Sequence, residues 1–130
     1  MKVKRITTLL ITLILASCTN VSSTTNSPFE GGAKEVYIQP GTLRALGPIK
    51  DTFRKNGWNV NEFDEQSRYL IHLNTKKIQL LCLNENSELE VELLFLDQKS
   101  KSTIFSITAK TCDSYTNLTK ELDRLVKQLE

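Results

Sequence analysis

The sequence predicts a single α+β domain: an antiparallel sheet of four to five strands with two helices packed on one face, in the order β-α-β-β-β-β-α. Three observations carry this. From Glu88 to Leu96, Leu89, Val91, Leu93 and Phe95 alternate with Glu88, Glu90 and Glu92, which is the period of a half-buried strand. Leu43, Leu46, Ile49 and Phe53 recur at spacings of three and four, and so do Tyr115, Leu118, Leu122, Leu125, Val126 and Leu129, as one face of a helix requires. At 130 residues the chain holds one hydrophobic core and is too short for a second.

In chain order, Lys34 to Gln39 carries Val36, Tyr37 and Ile38 and stops at Pro40-Gly41, a strand closed by a turn. Thr42 is the expected N-cap of the first helix. Gly47-Pro48 then implies either a kink or a helix that starts at Pro48, and Gly57 stands where a left-handed cap ends it. Trp58 is expected to close the helix-to-strand turn onto the core. After a polar stretch over Asn61 to Gln66, Arg68 to Leu73 sets Tyr69, Ile71 and Leu73 against Leu70 and His72, a second strand. Lys77 to Leu83 reads as a third strand, followed by a turn at residues 84–87. The alternating stretch is the fourth, and Ser102 to Lys110, with Phe105, Ile107 and Ala109 on its apolar side, is the fifth. The final helix covers the apolar face of the sheet. The Glu88, Glu90 and Glu92 face stays wet, as antiparallel sheets permit.

Hydrophobic residues make up 39% of the chain and charged residues 25%, values that exclude wholesale disorder and a polytopic membrane protein. Setting aside Lys2, Lys4 and Arg5 of the leader leaves 14 basic against 15 acidic residues. Such a balance supplies no electrostatic footprint for nucleic acid.

Met1 to Arg5 is basic, Ile6 to Leu15 is apolar, and Ala16-Ser17 brings small residues before Cys18, the layout of a secretory signal. Ten apolar residues span about 15 Å, half of a ~30 Å hydrocarbon core, too little for a stable membrane-crossing helix. Leu15-Ala16-Ser17-Cys18 resembles the lipobox of bacterial lipoproteins. That resemblance implies cleavage before Cys18 by signal peptidase II, a diacylglycerol on the Cys18 thiol, and fatty acylation, palmitate among the acyl groups, of the new N-terminus. An ordinary signal peptide with an incidental Cys18 is the alternative. Thr19, where an Asp would favour inner-membrane retention, implies lipid anchoring at the outer membrane, facing the periplasm. The expected organisation is therefore a signal peptide over 1–17, a lipidated Cys and flexible tether over 18–33, and the folded domain over 34–130. The Ser, Thr, Asn, Gly and Pro content of the tether carries the second of these.

Once Cys18 carries lipid, Cys82 and Cys112 are left in a compartment where thiols oxidise, and only one intramolecular bridge is open to them. With 29 residues between them, closing that loop contributes about 3 to 4 kcal/mol. Two buried free thiols or a metal pair are the alternatives, the last short of ligands with a single His in the chain.

Motifs that announce chemistry are absent: no Gly-x-Ser-x-Gly, no His-Glu-x-x-His, no phosphate loop, and no cofactor is expected. His72 reads as an ordinary strand residue. Glu88, Glu90 and Glu92 lie about 7 Å apart along one strand, too linear a set for a hard cation. The stretch from Val36 to Leu73 resembles the periplasmic α/β module of small bacterial envelope lipoproteins, which implies a role as an assembly, stabilising or regulatory partner of envelope machinery. The expectation is a non-enzymatic, membrane-anchored protein-interaction or structural module with an envelope protein as partner. A small-ligand or lipid carrier is the alternative, and a periplasmic enzyme the further one.

Overall fold

The computed structural model describes residues 21–41, 43–77, 89–111 and 115–129. Six strands and two helices follow in the order β1 (Val21–Thr25), β2 (Glu35–Ile38), α1 (Leu46–Lys55), β3 (Asn59–Asn61), β4 (Tyr69–Lys77), β5 (Leu89–Asp97), β6 (Ser102–Thr111) and α2 (Thr116–Lys127). They form one mixed sheet ordered β1-β6-β5-β4-β2-β3. The α+β class is as expected; the sheet has six strands instead of four to five, and it is not wholly antiparallel.

The parallel part has a simple cause. A helix between two neighbouring strands carries the chain back to the end it started from, so the strand that follows runs parallel to the one before. α1 does this between β2 and β3, with Val36 opposite Val60, and β4 adds to the other side of β2 in the same sense, with Ile38 opposite Ile71. Three residues of β3 are too few to show a period.

The remaining pairings are antiparallel hairpins or their extensions. Lys77 pairs with Leu89 at the end of the β4–β5 ladder, and Phe95 faces Phe105 across β5–β6. A bulge between Phe95 and Leu96 lets both Ile104 and Phe105 be buried. The third strand expected over Lys77 to Leu83 contributes its first residue to β4, and its remainder lies outside the described residues, as does the turn at 84–87.

Residues 21–33 differ most from expectation. Val21–Thr25 pairs antiparallel with β6 in five-residue register, from Val21 opposite Ala109 to Thr25 opposite Phe105. Val and Thr are β-branched and suit a pleated edge despite the linker-like composition around them. The chain then stays on the domain as a strap. The amides of Asn26 and Ser27 donate to the Ile104 carbonyl at 2.9 and 3.3 Å. Phe29 packs against Trp58 and Tyr69 with ring centroids 5.9 and 5.0 Å away. Gly31 and Gly32, at φ of 81° and 94°, turn the strap into β2, and the Tyr69 hydroxyl donates to the Gly31 carbonyl. The folded domain therefore starts at or before Val21 instead of Lys34.

α1 starts at Leu46, so Pro48 falls in its first turn, where a missing N–H costs nothing, and no kink is needed. Ala45 takes the N-cap position expected for Thr42, which lies outside the described residues. The other end closes as a Schellman motif: Gly57 N–H donates to Arg54 O and Trp58 N–H to Phe53 O, with Gly57 at φ 84°. The Phe53 and Trp58 rings meet edge-on at 5.6 Å, the apolar contact that accompanies this cap.

Trp58, 3% exposed, is the centre of an aromatic cluster that also takes in Phe29, Tyr69 and Phe95. Phe95 stacks on Phe105 at 4.9 Å. Leu118, Leu122, Leu125 and Val126 of α2 and Ile49 and Phe53 of α1 join the same cluster as Val91, Leu93 and Ile107, which places both helices on one face of the sheet.

Phe29→Ala should lower stability by about 2 kcal/mol, as expected for truncating a half-buried ring. It should also open residues 26–34 to limited proteolysis; urea melts and digestion time courses check both.

Candidate functional site

Among the described residues, no element covers the face of the sheet away from the helices. Its cross-strand rows are set by register: Leu70 beside Leu96, His72 beside Leu94, Asn74 beside Glu92, and Lys76 beside Glu90, which in turn faces Lys110. Leu70, Leu94 and Leu96 are half-buried, and His72 is exposed. Glu90 and Glu92 lie on this wet face as expected, with Asn74 Nδ2 donating to Glu92 at 3.2 Å. Glu88 lies outside the described residues. His72 is not drawn into a cleft with carboxylates, and among the described residues no three His, Cys, Asp or Glu side chains are grouped to hold a metal ion. Cys18, Cys82 and Cys112 also lie outside the described residues.

A cavity of about 240 Å³ opens where β2 and β4 run out beneath the start of α1. Its walls are Ile38, Leu43, Leu46, Ile71 and Leu73, with Gln39 on the rim. Pro40, Gly41 and Thr75 complete the lining, so the cavity is only partly apolar, and its volume falls below the range of drug-sized pockets.

Phe63 is the conspicuous exposed apolar side chain, at 92%. It rides on an Asx turn in which Asn61 Oδ1 accepts the amides of Phe63 and Asp64, both at 3.0 Å. Its acidic neighbours are engaged elsewhere: Glu62 binds Lys50, and Glu65 accepts from the Tyr37 hydroxyl at 3.5 Å.

Two carboxylates organise the rest, and neither has a local sequence signal. Asp97, 2% exposed, ends β5 and accepts Arg68 Nε and Nη2 at 3.2 and 3.0 Å together with the Lys99 amide at 2.9 Å. The Arg68 guanidinium holds the Asp97 carboxyl below its ordinary range despite burial. Arg68 also reaches Glu30 of the strap at 2.9 Å, so one side chain ties the strap to the turn between β5 and β6. Asp123 of α2 binds Lys127 at 2.9 Å, accepts Asn56 Nδ2 at 2.9 Å and meets Lys55 at 3.3 Å, clasping the two helices together. Lys127 first and Asn56 second lower its pKa to about 2.

No protein-family model matches this chain, and no curated protein matches it. Among solved structures, the PelC dodecamer from Paraburkholderia phytofirmans is similar at a TM-score of 0.49 and 15% identity, with 84% of this chain and 92% of that chain covered. A point variant of the same dodecamer gives 0.48 and 14% at the same coverage. A minor lipoprotein from Acinetobacter baumannii gives 0.33 and 14%, over 75% of this chain and 85% of that one. At these scores, what those proteins assemble with or attach to stays with them. No helix among the described residues is long and apolar enough to cross a membrane.

Because the Asp123 carboxyl is stabilised as its anion in the folded state, its contribution is complete above the ordinary carboxylate range and fades as pH falls toward about 2. Partial exposure and screening reduce it to about 1 to 2 kcal/mol. Asp123→Asn should remove that much at pH 7 and flatten the acid limb between pH 5 and about 2; denaturant melts across that range measure both.

Proposed function

We propose that this protein is a lipid-anchored envelope protein whose domain acts, without catalysis, as a protein-interaction or structural module at the outer membrane. The observation that supports this reading most is the position of β1. β1 starts at Val21, three residues after the Cys18 of the lipobox-like leader. Three extended residues reach at most about 10 Å, so an acylated Cys18 holds the domain against the lipid surface instead of at the end of a fifteen-residue tether. Two or three acyl chains at about 0.8 kcal/mol per methylene make that attachment effectively permanent. The domain is then left to present surfaces: an uncovered sheet face with Leu70, Leu94 and Leu96, and Phe63 on its rigid turn. An envelope protein is the partner these surfaces suit.

The bridge between Cys82 and Cys112 belongs to the same reading. Lys77, Leu89 and Thr111 are successive neighbours across the sheet, so the backbone leading to Cys82 and that leading to Cys112 leave the sheet at the same end. A second reading, a carrier of a small apolar ligand, is favoured by the cavity between Ile38, Leu46 and Ile71.

Cys18→Ala should move the protein from the membrane to the soluble fraction while leaving its thermal midpoint unchanged. Intact mass of the wild-type product should show a chain beginning at acylated Cys18. A soluble wild type, or a variant that still sediments with membranes, refutes the anchor. Binding of a fluorescent fatty acid that Leu46→Trp abolishes would favour the carrier instead. Non-reducing peptide mapping should find Cys82 linked to Cys112; two alkylatable thiols would exclude the bridge.

A further inference from the structure

The hydrogen-bond alternation of the sheet fixes which way β1 points its backbone groups. The Gln98 amide donates to the Arg68 carbonyl at 2.7 Å, in register with the pairing of Leu96 to Leu70, so Leu94 and Leu96 bond to β4 while Leu93 and Phe95 bond to β6. β6 therefore meets β5 through Phe105 and Ile107, and meets β1 through Ser106 and Thr108, whose partners are Thr24 and Ser22. The Asn26 amide, which donates to the Ile104 carbonyl at 2.9 Å, keeps the same alternation. Ser23 and Thr25 are left with their N–H and C=O groups aimed out of the sheet at its edge, where no strand follows among the described residues.

Sheet edges are ordinarily guarded by Lys, Pro, a bulge or brevity. The far edge is guarded: β3 has three residues and runs straight into Glu62 and the Asx turn under Phe63. β1 has no such guard. Its five residues, Val-Ser-Ser-Thr-Thr, carry no charge and no proline, and they pair with β6 without a bulge. The charges lie just above it, on α2: Glu121 accepts the Ser23 hydroxyl at 2.6 Å and Arg124 Nε at 3.1 Å, and the Arg124 side chain is half exposed. α2 begins at Thr116, soon after β6 ends at Thr111, and packs back over β6 and β1, so it runs in the sense of β1. Arg124 is about 4.5 Å further along than Glu121, a little over one strand residue, which sets the middle of this ion pair close to Thr24.

We propose that β1 is a dimer edge: a second copy of this chain adds its own β1 antiparallel across a two-fold axis at Thr24, joining the two sheets into one. Ser23 N–H donates to the Thr25 carbonyl of the second copy and Thr25 N–H to its Ser23 carbonyl, and the symmetry repeats both. The same axis puts Glu121 of each copy opposite Arg124 of the other. A cation and an anion astride a two-fold axis are their own complement, so a second copy fits this edge better than an unrelated strand. The seam is short, and the dimer dissociates on dilution. It depends on no property of the leader.

Disulfide trapping in cells that overproduce the full chain tests this. Thr24 of the two copies form a non-hydrogen-bonded pair with Cα atoms about 4.5 Å apart, within reach of a disulfide, whereas the two Ser22 residues stand about 13 Å apart along the seam. Both positions are exposed. Under a mild oxidant, Thr24→Cys should give several-fold more covalent homodimer than Ser22→Cys or the parent chain with its own cysteines. Adding Thr25→Pro removes an outward amide, leaves the β1–β6 bonds in place, and should abolish the trapping without lowering the thermal midpoint. Arg124→Glu should also abolish it, and Glu121→Arg together with Arg124→Glu should restore it, a rescue that an ion pair serving only its own helix would not give. Absent trapping at Thr24, equal trapping at Ser22, no rescue by the charge swap, or a Thr24 crosslink to a different protein overturns the dimer.

Discussion

The pairing of β1 with β6 is the constraint on which the rest of the account depends. Without it, residues 18–33 are a coil with a root-mean-square reach of about 20 Å, and the domain has no fixed orientation relative to its N-terminus. With it, Val21, three residues after Cys18, is an edge-strand residue of known register. The strap reinforces this pairing by two independent contacts. Phe29 inserts beside Trp58 and Tyr69, and Glu30 binds an Arg68 that is itself held by the buried Asp97.

The legible parts of the fold were those whose period is local. β5 shows strict alternation and buries Val91, Leu93 and Phe95 completely; α2 shows a clean three-four stripe and buries Leu118, Leu122, Leu125 and Val126. Gly57 announced the end of α1 because a left-handed backbone position is demanding enough to show as a single residue. β1 was hidden because Ser and Thr serve as well in a solvated edge strand as in a linker, and what decides between the two is a partner strand far along the chain, from Phe105 to Ala109. β3 is too short for a period. The parallel pairing of β2 with β3 and β4 is a property of the route of the chain and not of any one segment.

The candidate surfaces were legible only in part, for the same reason. Glu90, Glu92 and His72 were assigned to strand faces correctly, since a face follows from parity alone. Which residues share an end of the domain follows from register and connection, so the row of Lys76, Glu90 and Lys110 across three strands leaves no trace in the sequence. The Arg68–Asp97 pair, separated by 29 positions, is equally silent there. It joins the start of β4, the end of β5 and the strap, a structural role that removes two strongly charged groups from the set open to partners.

The structure divides its labour between the ends of one sheet. Aromatic packing around Trp58 and the Arg68–Asp97 pair consolidate one end; the start of β1 and the cavity beneath α1 lie toward the other. Hydrogen exchange of the β1 amides tests the underlying claim most directly, because a strand and a linker of this composition differ by orders of magnitude in that observable. If β1 is annealed to β6, its inward-facing amides exchange with protection close to that of β6 itself. Exchange at the rate of an unstructured peptide over residues 22–25 would contradict the account and return the domain to the end of a free tether.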